Sequence, residues 1–467
     1  MDDGTKQVIL AARFPGVTNS TVWSDPAAGS QIDFSSFAHL ARTAEAGKFD
    51  FFFLTESPRL REHRGKIHDL DVAGRPNSFT VLAALAAVTT HLGLGGTIAA
   101  TCNEPYEVAR QFATLDHLSA GRAAWNVVTS PDAFSSENFR RGGVPDREDR
   151  YGRTAEFVAT CRELWNSWPG DAVAADTAAG TFMRNTAAGT FAHRGEHFDI
   201  SGHFNAPASP QGHPVIIQAG DSGGGKEFAA ASADAVCTRH SALRAGQAFY
   251  ADVKSRLGRY GRRPSDLKVL PRATFVLGDS AADARDRARH IRRQQVSPQT
   301  AILLLEQVWN RDLSGYDPDG PLPSADPDTS SASIQGRTRQ HASPLVTARR
   351  WRALAEEKQL SIRELIIEVT GRQSLIGTPA QVAEEISSFV QSDAADGFVL
   401  VPHLVPAGLD EFVATVVPRL QERGVFRAEY ETDTLRGHLG LGPARCAHSG
   451  TGMAAATGHQ PERIAAG

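Results

Sequence analysis

The residues best placed for chemistry are polar side chains that follow short apolar runs typical of buried strands. They are Thr55-Glu56-Ser57, Ala100-Thr101-Cys102-Asn103, Asn126 with Thr129-Ser130, and the loop Gly220-Asp221-Ser222-Gly223-Gly224-Gly225. Most are neutral, and Glu56 is the one acid at a strand tip early in the chain. The sequence shows no Ser/His/Asp set in a recognisable context, no H-E-x-x-H, no dinucleotide fingerprint and no metal-ligand spacing. No catalytic residue is therefore assigned.

The glycine-rich loop Gln218–Lys226 is the strongest local signal. It follows an apolar run and precedes a helical segment, Glu227–Ser232. Backbone N–H groups of such a loop and the N-terminus of the helix can hold a phosphate, with the Ser222 hydroxyl as a further donor. From the residues alone, a phosphate-binding loop and a glycine-rich turn that binds no ligand are equally supported.

Three further residues can contact a ligand, and each has a plainer alternative. Tyr151 and Arg147 lie at a helix start after an Arg/Asp-rich loop and can meet a phosphate, although a solvated charge run is the simpler interpretation. Asn126 can hydrogen-bond the edge of a ring or cap a loop. The histidines expected to be surface or core residues rather than ligands are His193, His197, His203 and His213.

Composition narrows the class of protein. The 467 residues include 49 Lys+Arg against 53 Asp+Glu, a formal net charge of −4. The chain therefore lacks the basic surplus of proteins that bind nucleic acid or anionic membranes. The apolar runs are too short for a membrane span, and the start, MDDGTKQVIL, does not resemble a targeting segment. Together with four widely spaced cysteines, these features predict a cytoplasmic protein with reduced thiols.

Apolar runs alternate with segments of helical periodicity along the chain. The eight predicted strands are Gln7–Phe14, Asp50–Leu54, Leu92–Thr101, Ala123–Thr129, Pro214–Ala219, Ala233–Thr238, Leu267–Leu277 and Gly397–Val401. The predicted helices include Asp33–Gly47, Ser78–Thr90, Pro105–Ser119, Tyr151–Trp165, Ser280–Gln294 and Gly408–Glu422. Because most strands are apolar throughout, as in parallel sheets covered on both faces, we predict a (β/α)8 TIM-like barrel. A doubly wound sheet is the alternative.

Residues 1–435 are predicted to form a single barrel domain with two insertions. The first, about residues 169–213, is expected to hold hairpins and loops. The second, about residues 297–378, contains the Pro-, Asp- and Ser-rich loop Gly315–Ser333 between apolar segments, which predicts a helical lid with a mobile middle. Residues 436–467, rich in Gly, Ala and His, are predicted to be a disordered tail.

One stretch of the chain resembles a known family. The segment Glu104–Ser130, EPYEVARQFATLDHLSAGRAAWNVVTS, is similar to the most distinctive block of flavin-dependent monooxygenases of the nitrilotriacetate monooxygenase type, within the bacterial-luciferase-like superfamily. Further matches, in order, are Glu137-Asn138-Phe139, Arg150-Tyr151, Gln218-Ala-Gly-x-Ser222, Phe228-Ala-Ala and Ala233-Asp-Ala-Val. The resemblance covers roughly residues 6–428. It implies a TIM-like barrel with insertions, FMN used as FMNH2, O2 as cosubstrate, and a separate NAD(P)H-dependent flavin reductase.

The resemblance also implies roles for residues on the ring side of the flavin. Glu56 stands where the family usually has an Asp that faces the ring region. Thr101 matches a strand-end hydroxyl near the flavin, and Asn126 matches an amide that contacts the edge of the ring.

On the phosphate side, Tyr151, Ser222 and the backbone of Gly223 match the family's binding residues. Arg147 stands where the family often has a His four residues before the Tyr, and a guanidinium can hold phosphate as a permanent charge.

The implied activity is that of a two-component monooxygenase that oxygenates a small organic substrate through a C4a-(hydro)peroxyflavin. In such an enzyme the cofactor carries the difficult chemistry, which is consistent with the absence of a recognisable acid–base pair or nucleophile. Two alternatives use the same barrel: a deazaflavin (F420)-dependent oxidoreductase and a non-catalytic flavin-binding protein. We expect a homodimer or homotetramer with no nucleic-acid or membrane partner.

Overall fold

A computed structural model describes residues 4–16, 21–56, 62–63, 66–67, 74–129, 149–329, 343–370, 374–442 and 444. Its strands are β1 Ile9–Arg13, β2 Phe51–Leu54, β3 Glu62–His63, β4 Lys66–Ile67, β5 Gly93–Ala99, β6 Ala123–Val128, β7 Val173–Asp176, β8 Thr181–Met183, β9 Thr190–Arg194, β10 Asp199–His203, β11 Val215–Ala219, β12 Ala235–Thr238, β13 Lys268–Leu277, β14 Leu375–Gly377 and β15 Gly397–Val401.

The α-helices of the described residues pack around these strands. They are α1 Phe34–Ala46, α2 Ser78–Ala86, α3 Pro105–Leu118, α4 Asp149–Asn166, α5 Gly223–Ser232, α6 Leu243–Arg256, α7 Ala281–Gln295, α8 Pro298–Trp309, α9 Pro344–Lys358, α10 Ile362–Thr370, α11 Pro379–Gln391, α12 Asp410–Thr415, α13 Val417–Glu422 and α14 Leu435–His438. Within the described ranges, no helix combines the length and the apolar character needed to cross a membrane.

Eight parallel strands close into a barrel. Around its circumference they run β1, β2, β5, β6, β11, β12, β13 and β15, and β15 pairs with β1 to close the ring. Each of the eight predicted strands is present, so the barrel prediction is confirmed and the doubly wound sheet is excluded. The strands are buried on both faces because helices cover the outside while a second apolar layer fills the inside.

The amino-terminal end of the barrel is closed by the C-terminal segment around α14. Leu435 and Leu439 join the apolar layer inside the barrel, and a Cβ on Gly93 would lie 2.6 Å from Leu435 Cδ1. Arg436 pairs with the buried carboxylate of Asp234, with 3.2 Å between Nη1 and Oδ2. The boundary predicted at residue 435 therefore falls inside α14, and the structure describes the chain as far as Gly442. Apart from Ala444, the rest of the predicted tail lies outside the described residues.

The first insertion consists of two β-hairpins, β7–β8 and β9–β10, as predicted. The second hairpin docks on α4 through Glu156. Its carboxylate accepts hydrogen bonds from the backbone N–H groups of His197 and Phe198, at 3.0 and 2.9 Å. Arg153, also on α4, lies over the Phe198 ring. The insertion is thus fixed to the helix that carries Tyr151.

The second insertion leaves and re-enters the barrel at the carboxyl end of β13. Strand β14 pairs in parallel with the last residues of β13, so the chain returns beside the point where it left. Between them, α8, α9 and α10 share an apolar cluster that includes Trp309 and Trp351. The helical insertion is confirmed, but its extent is larger than predicted: α7 belongs to it, and the barrel helix after β13 is α11.

The described part of the polar loop in this insertion, residues 315–329, is held by hydrogen bonds from two side chains. The indole N–H of Trp309 donates to the Ala325 carbonyl at 2.9 Å, and the Arg352 guanidinium donates to the carbonyls of Pro323 and Ser324. The described part of the loop is therefore held against α8 and α9. Residues 330–342, which include the end of the predicted mobile middle, lie outside the described residues.

Candidate functional site

The carboxyl end of β11 carries the glycine-rich loop and the start of α5. Ser222 is the N-cap of this helix, and its Oγ accepts a hydrogen bond from Gly225 N–H at 3.1 Å. The Tyr151 hydroxyl lies 3.3 Å from the same Oγ, and a Cβ on Gly224 would lie 3.6 Å from the Tyr151 ring. The structure thus brings together Tyr151, Ser222 and Gly223, whereas Arg147 lies outside the described residues. We call residues Gly220–Gly225 the cradle.

The donors of the cradle are backbone N–H groups and the Ser222 hydroxyl rather than a cationic side chain. The first N–H groups of a helix have no intrahelical acceptor, and the helix dipole adds partial positive charge there. A Cβ on Gly223 would meet no atom of the described residues within 4 Å, so these residues leave the N-terminus open. Lys226 is turned to Asp252, with 2.7 Å between Nζ and Oδ2. An anion bound here would be held by N–H and hydroxyl donors.

Asn126 lies on the inner wall of the barrel and is 2% exposed. Its Nδ2 donates to Thr97 Oγ1 at 2.9 Å, and Thr97 in turn donates to the Leu54 carbonyl at 3.2 Å. This chain fixes the orientation of the amide. Asn126 Oδ1 is buried and finds no partner among the described residues, so the site presents an acceptor that suits a ring N–H.

Glu56 and Thr101 follow β2 and β5, the two strands that precede β6 around the barrel. The Glu56 carboxylate accepts a hydrogen bond from Ser78 N–H at 2.7 Å and so anchors the start of α2. Thr101 is buried in a 3-10 turn, and Arg153 holds this turn by donating to the Ala100 carbonyl at 2.6 Å. Both residues therefore belong to the carboxyl edge of the barrel, as predicted from their strand-end positions.

Sequence reasoning missed two arginines on the inner wall. Arg13 on β1 is 1% exposed, and its Nη2 donates to Thr55 Oγ1 at 2.9 Å. Arg272 on β13 shares this wall, since Leu270, two residues earlier, belongs to the interior layer. Burial raises the pKa of the Cys237 thiol to about 11, although both guanidinium groups oppose that rise. The available signal was a charged residue at an inward position of an otherwise apolar strand.

Among the described residues, no group of three or more His, Cys, Asp or Glu side chains could hold a metal ion. His193 instead contacts the carboxylates of Glu163 and Glu156, at 2.9 and 3.2 Å, and these contacts raise its pKa against the opposing effect of burial. His213 is buried against Trp165, and burial lowers its pKa to about 4. Both histidines serve the fold, as the sequence predicted.

Comparison with known proteins places this barrel in a family. The model of the luciferase-like monooxygenases matches residues 13–396. Nitrilotriacetate monooxygenase component A of Aminobacter aminovorans is 40% identical over 433 residues, 90% of this chain and 93% of that protein. The N-acetyl-S-(2-succino)cysteine monooxygenase of Bacillus subtilis is 38% identical, covering 94% of this chain and 98% of that protein.

A solved structure extends the likeness to three dimensions. A riboflavin lyase, determined with modified FMN and riboflavin, superposes with a TM-score of 0.75 at 26% identity, covering 93% of this chain and 96% of that chain. The protein belongs to the luciferase-like monooxygenase family. It is a monooxygenase of the type found among its curated relatives, and the resemblance inferred from residues Glu104–Ser130 is confirmed.

Proposed function

We propose that the protein is the oxygenase component of a two-component system that uses FMNH2 and O2 to oxygenate a small organic substrate. The observation that carries this proposal is the cradle, where Ser222, Tyr151 and the N-terminus of α5 converge at the carboxyl edge of the barrel. A phosphate ester requires donors that lack acceptors, and the flavin ring requires polar contacts at its edge. The cradle fits the first need and the unpartnered Oδ1 of Asn126 fits the second.

The chain's own residues would bind and orient the cofactor. The hydroxyls of Ser222 and Tyr151 and the N–H groups of Gly223 and Gly224 would hold the phosphate, while Asn126, oriented by Thr97, would accept from the ring. Bound FMNH2 would supply the electrons and react with O2. Glu56 and Thr101 would border the ring, and the helical insertion beside β13 would limit the access of water.

The supply of FMNH2 is assigned to a second protein. The relative from Aminobacter aminovorans is named as component A, and we propose by analogy that a separate NAD(P)H-dependent flavin reductase serves this chain. The named substrates of the relatives differ, so the substrate of this protein is to be found by screening small organic molecules.

The test pairs the purified protein with any FMN reductase and measures oxygen consumption and oxygen insertion across a panel of amines, sulfur compounds and alkanes. We expect tight anaerobic binding of FMNH2 and substrate-dependent O2 uptake. Turnover with reduced F420 that ignores O2 would replace the proposal with hydride transfer. Flavin retention without substrate-dependent O2 uptake across the panel would favour a non-catalytic flavin-binding protein.

A further inference from the structure

Gln218 lies directly beneath the cradle, at the end of β11. Its side chain is 4% exposed, and it points to the outer side of the sheet because Ile216, two residues earlier, packs in the outer apolar layer. A Cβ on Gly220 would lie 2.8 Å from Gln218 Nε2, and one on Gly225 would lie 3.4 Å from the same atom. The carboxamide thus sits between the two ends of the cradle.

The described part of the chain does not satisfy this carboxamide: its Oε1 is buried and has no hydrogen-bond partner there. The buried Gln211 is a contrast, because its Nε2 donates to Asp116 Oδ1 at 2.6 Å and to the Ala123 carbonyl at 2.8 Å. A buried amide without a partner destabilises the fold unless something else completes it.

The groups around Gln218 indicate what completes it. The Ser222 hydroxyl and the open first turn of α5 border the same space, since a Cβ on Gly225 would also lie 3.1 Å from Ser222 Oγ. All of these groups suit a ligand that is anionic and bears hydroxyls, because the amide can donate to phosphate oxygens and accept from a hydroxyl.

We propose that Gln218 is part of the phosphate cradle: its buried, unpartnered carboxamide is completed by the phosphate-bearing tail of the flavin and makes the protein select FMN over riboflavin. This inference rests on the proposed function. Gln218 is a binding and positioning residue, and Gly220 is small because any side chain there would collide with the carboxamide.

The experiment measures the anaerobic dissociation constants of FMNH2 and reduced riboflavin for the wild type, Gln218→Met and Gln218→Glu. Methionine keeps the length of the side chain and removes the hydrogen-bonding groups, whereas glutamate adds a charge that repels phosphate. We expect the preference for FMNH2 over reduced riboflavin to fall roughly tenfold in Gln218→Met and further in Gln218→Glu, with riboflavin affinity falling less because riboflavin lacks the phosphate to which Nε2 would donate. Thermal unfolding without flavin checks that each variant is folded.

Two further variants make the result decisive. Gln247→Met is the matched control, because Gln247 Nε2 donates to the Ser392 carbonyl at 3.1 Å, away from the cradle, and we expect it to leave both affinities unchanged. Gly220→Ala should displace the Gln218 amide without changing its chemical groups, because the new Cβ would lie 2.8 Å from Nε2. The backbone of Gly220 has a conformation that alanine can adopt. Gly220→Ala should also weaken the binding of FMNH2 more than that of reduced riboflavin. It tests the role of Gln218 if the Gln218 variants do not fold.

An unchanged preference for FMNH2 in Gln218→Met or in folded Gly220→Ala, while Ser222→Ala loses affinity, overturns the role of Gln218 alone. If the wild type binds neither FMNH2 nor riboflavin, the proposed function itself fails. Equal losses of FMNH2 and riboflavin affinity would show that Gln218 only supports the fold, and would also overturn the inference.

Discussion

The two ends of the barrel differ in what surrounds their buried polar groups. At the amino-terminal end, the C-terminal segment supplies its own partners: Leu435 fills the interior, Arg436 neutralises Asp234, and Arg427 pairs with Asp50 at 2.7 Å. At the carboxyl end, Asn126 and Gln218 each have a buried amide oxygen without a partner among the described residues, and these residues leave the first turn of α5 open. The C-terminal segment stabilises one end, whereas the other end carries the residues proposed to bind flavin, so the two should respond differently to mutation.

The largest effect is expected at the closed end. Arg436→Met leaves the buried Asp234 carboxylate without its main partner, and removal of one member of a buried ion pair costs about 3 kcal/mol or more. Urea unfolding should show this loss, while the FMNH2 affinity of the folded fraction stays unchanged. Arg289→Met, at an exposed site, is the control. If Arg436→Met were as stable as wild type and bound flavin poorly, the proposed difference between the two ends would be wrong.

Acid should also destabilise the closed end. Burial lowers the pKa of both His213 and His438 to about 4. In the unfolded chain these histidines bind protons near pH 6.5, the ordinary pKa of histidine. In the folded chain they bind protons only near pH 4. Stability is lost as pH falls through this window, by at most about 3 kcal/mol for each histidine.

The pH dependence is checked by urea unfolding at several pH values between 7.5 and 4.5. His438→Gln should flatten the curve by its share. The surface-docked His193 has a raised pKa and acts in the opposite direction, since its contribution is lost as pH rises through that raised value. An unfolding free energy that does not change from pH 6.5 to 4.5 would contradict the account.

At the open end, Asn126→Ala and Ser222→Ala should each weaken FMNH2 binding by about tenfold, because a hydrogen bond to the ligand is lost. Ser222→Ala also removes the N-cap of α5, which costs about 1 kcal/mol of stability. Anaerobic fluorescence titration measures the affinities, and thermal unfolding confirms the fold. Unchanged affinity in both variants would mean that the site lies elsewhere.

The smallest effect is expected where the first insertion meets α4. Glu156→Gln keeps one carbonyl acceptor for the backbone of His197 and Phe198 but loses the charge that faces His193. Stability should fall by about 1 kcal/mol. Limited proteolysis should cut the β9–β10 hairpin faster, with a small loss of FMNH2 affinity through Tyr151 on the same helix. A large loss of affinity without faster cutting would assign Glu156 to the site.

The elements with the strongest local signals could be predicted from sequence. All eight barrel strands were found because their runs are apolar on both faces, and the glycine-rich turn between β11 and α5 was found because glycines follow a strand and precede a helix. The helix predicted over Gly408–Glu422 is interrupted at Val416, two residues before Pro418, which has no N–H to donate.

The errors arose where long-range contacts decide. The tail boundary was placed at residue 435 because Gly and His resemble disorder, yet Arg436 is retained by Asp234, about two hundred residues away in sequence. The helix Ser280–Gln294 has the periodicity of a barrel helix, and only the pairing of β14 with β13 shows that it belongs to the insertion. The sequence shows Gln218 as part of a family motif. That its buried Oε1 has no hydrogen-bond partner among the described residues can be seen only in the structure.

A crystal structure of the protein with bound FMN tests the central claim most directly. We predict the phosphate at the first turn of α5, within hydrogen-bond distance of Ser222 and Tyr151, and the ring beside Asn126. A phosphate bound elsewhere, or a barrel mouth that side chains fill too tightly to admit the ring, would contradict the account.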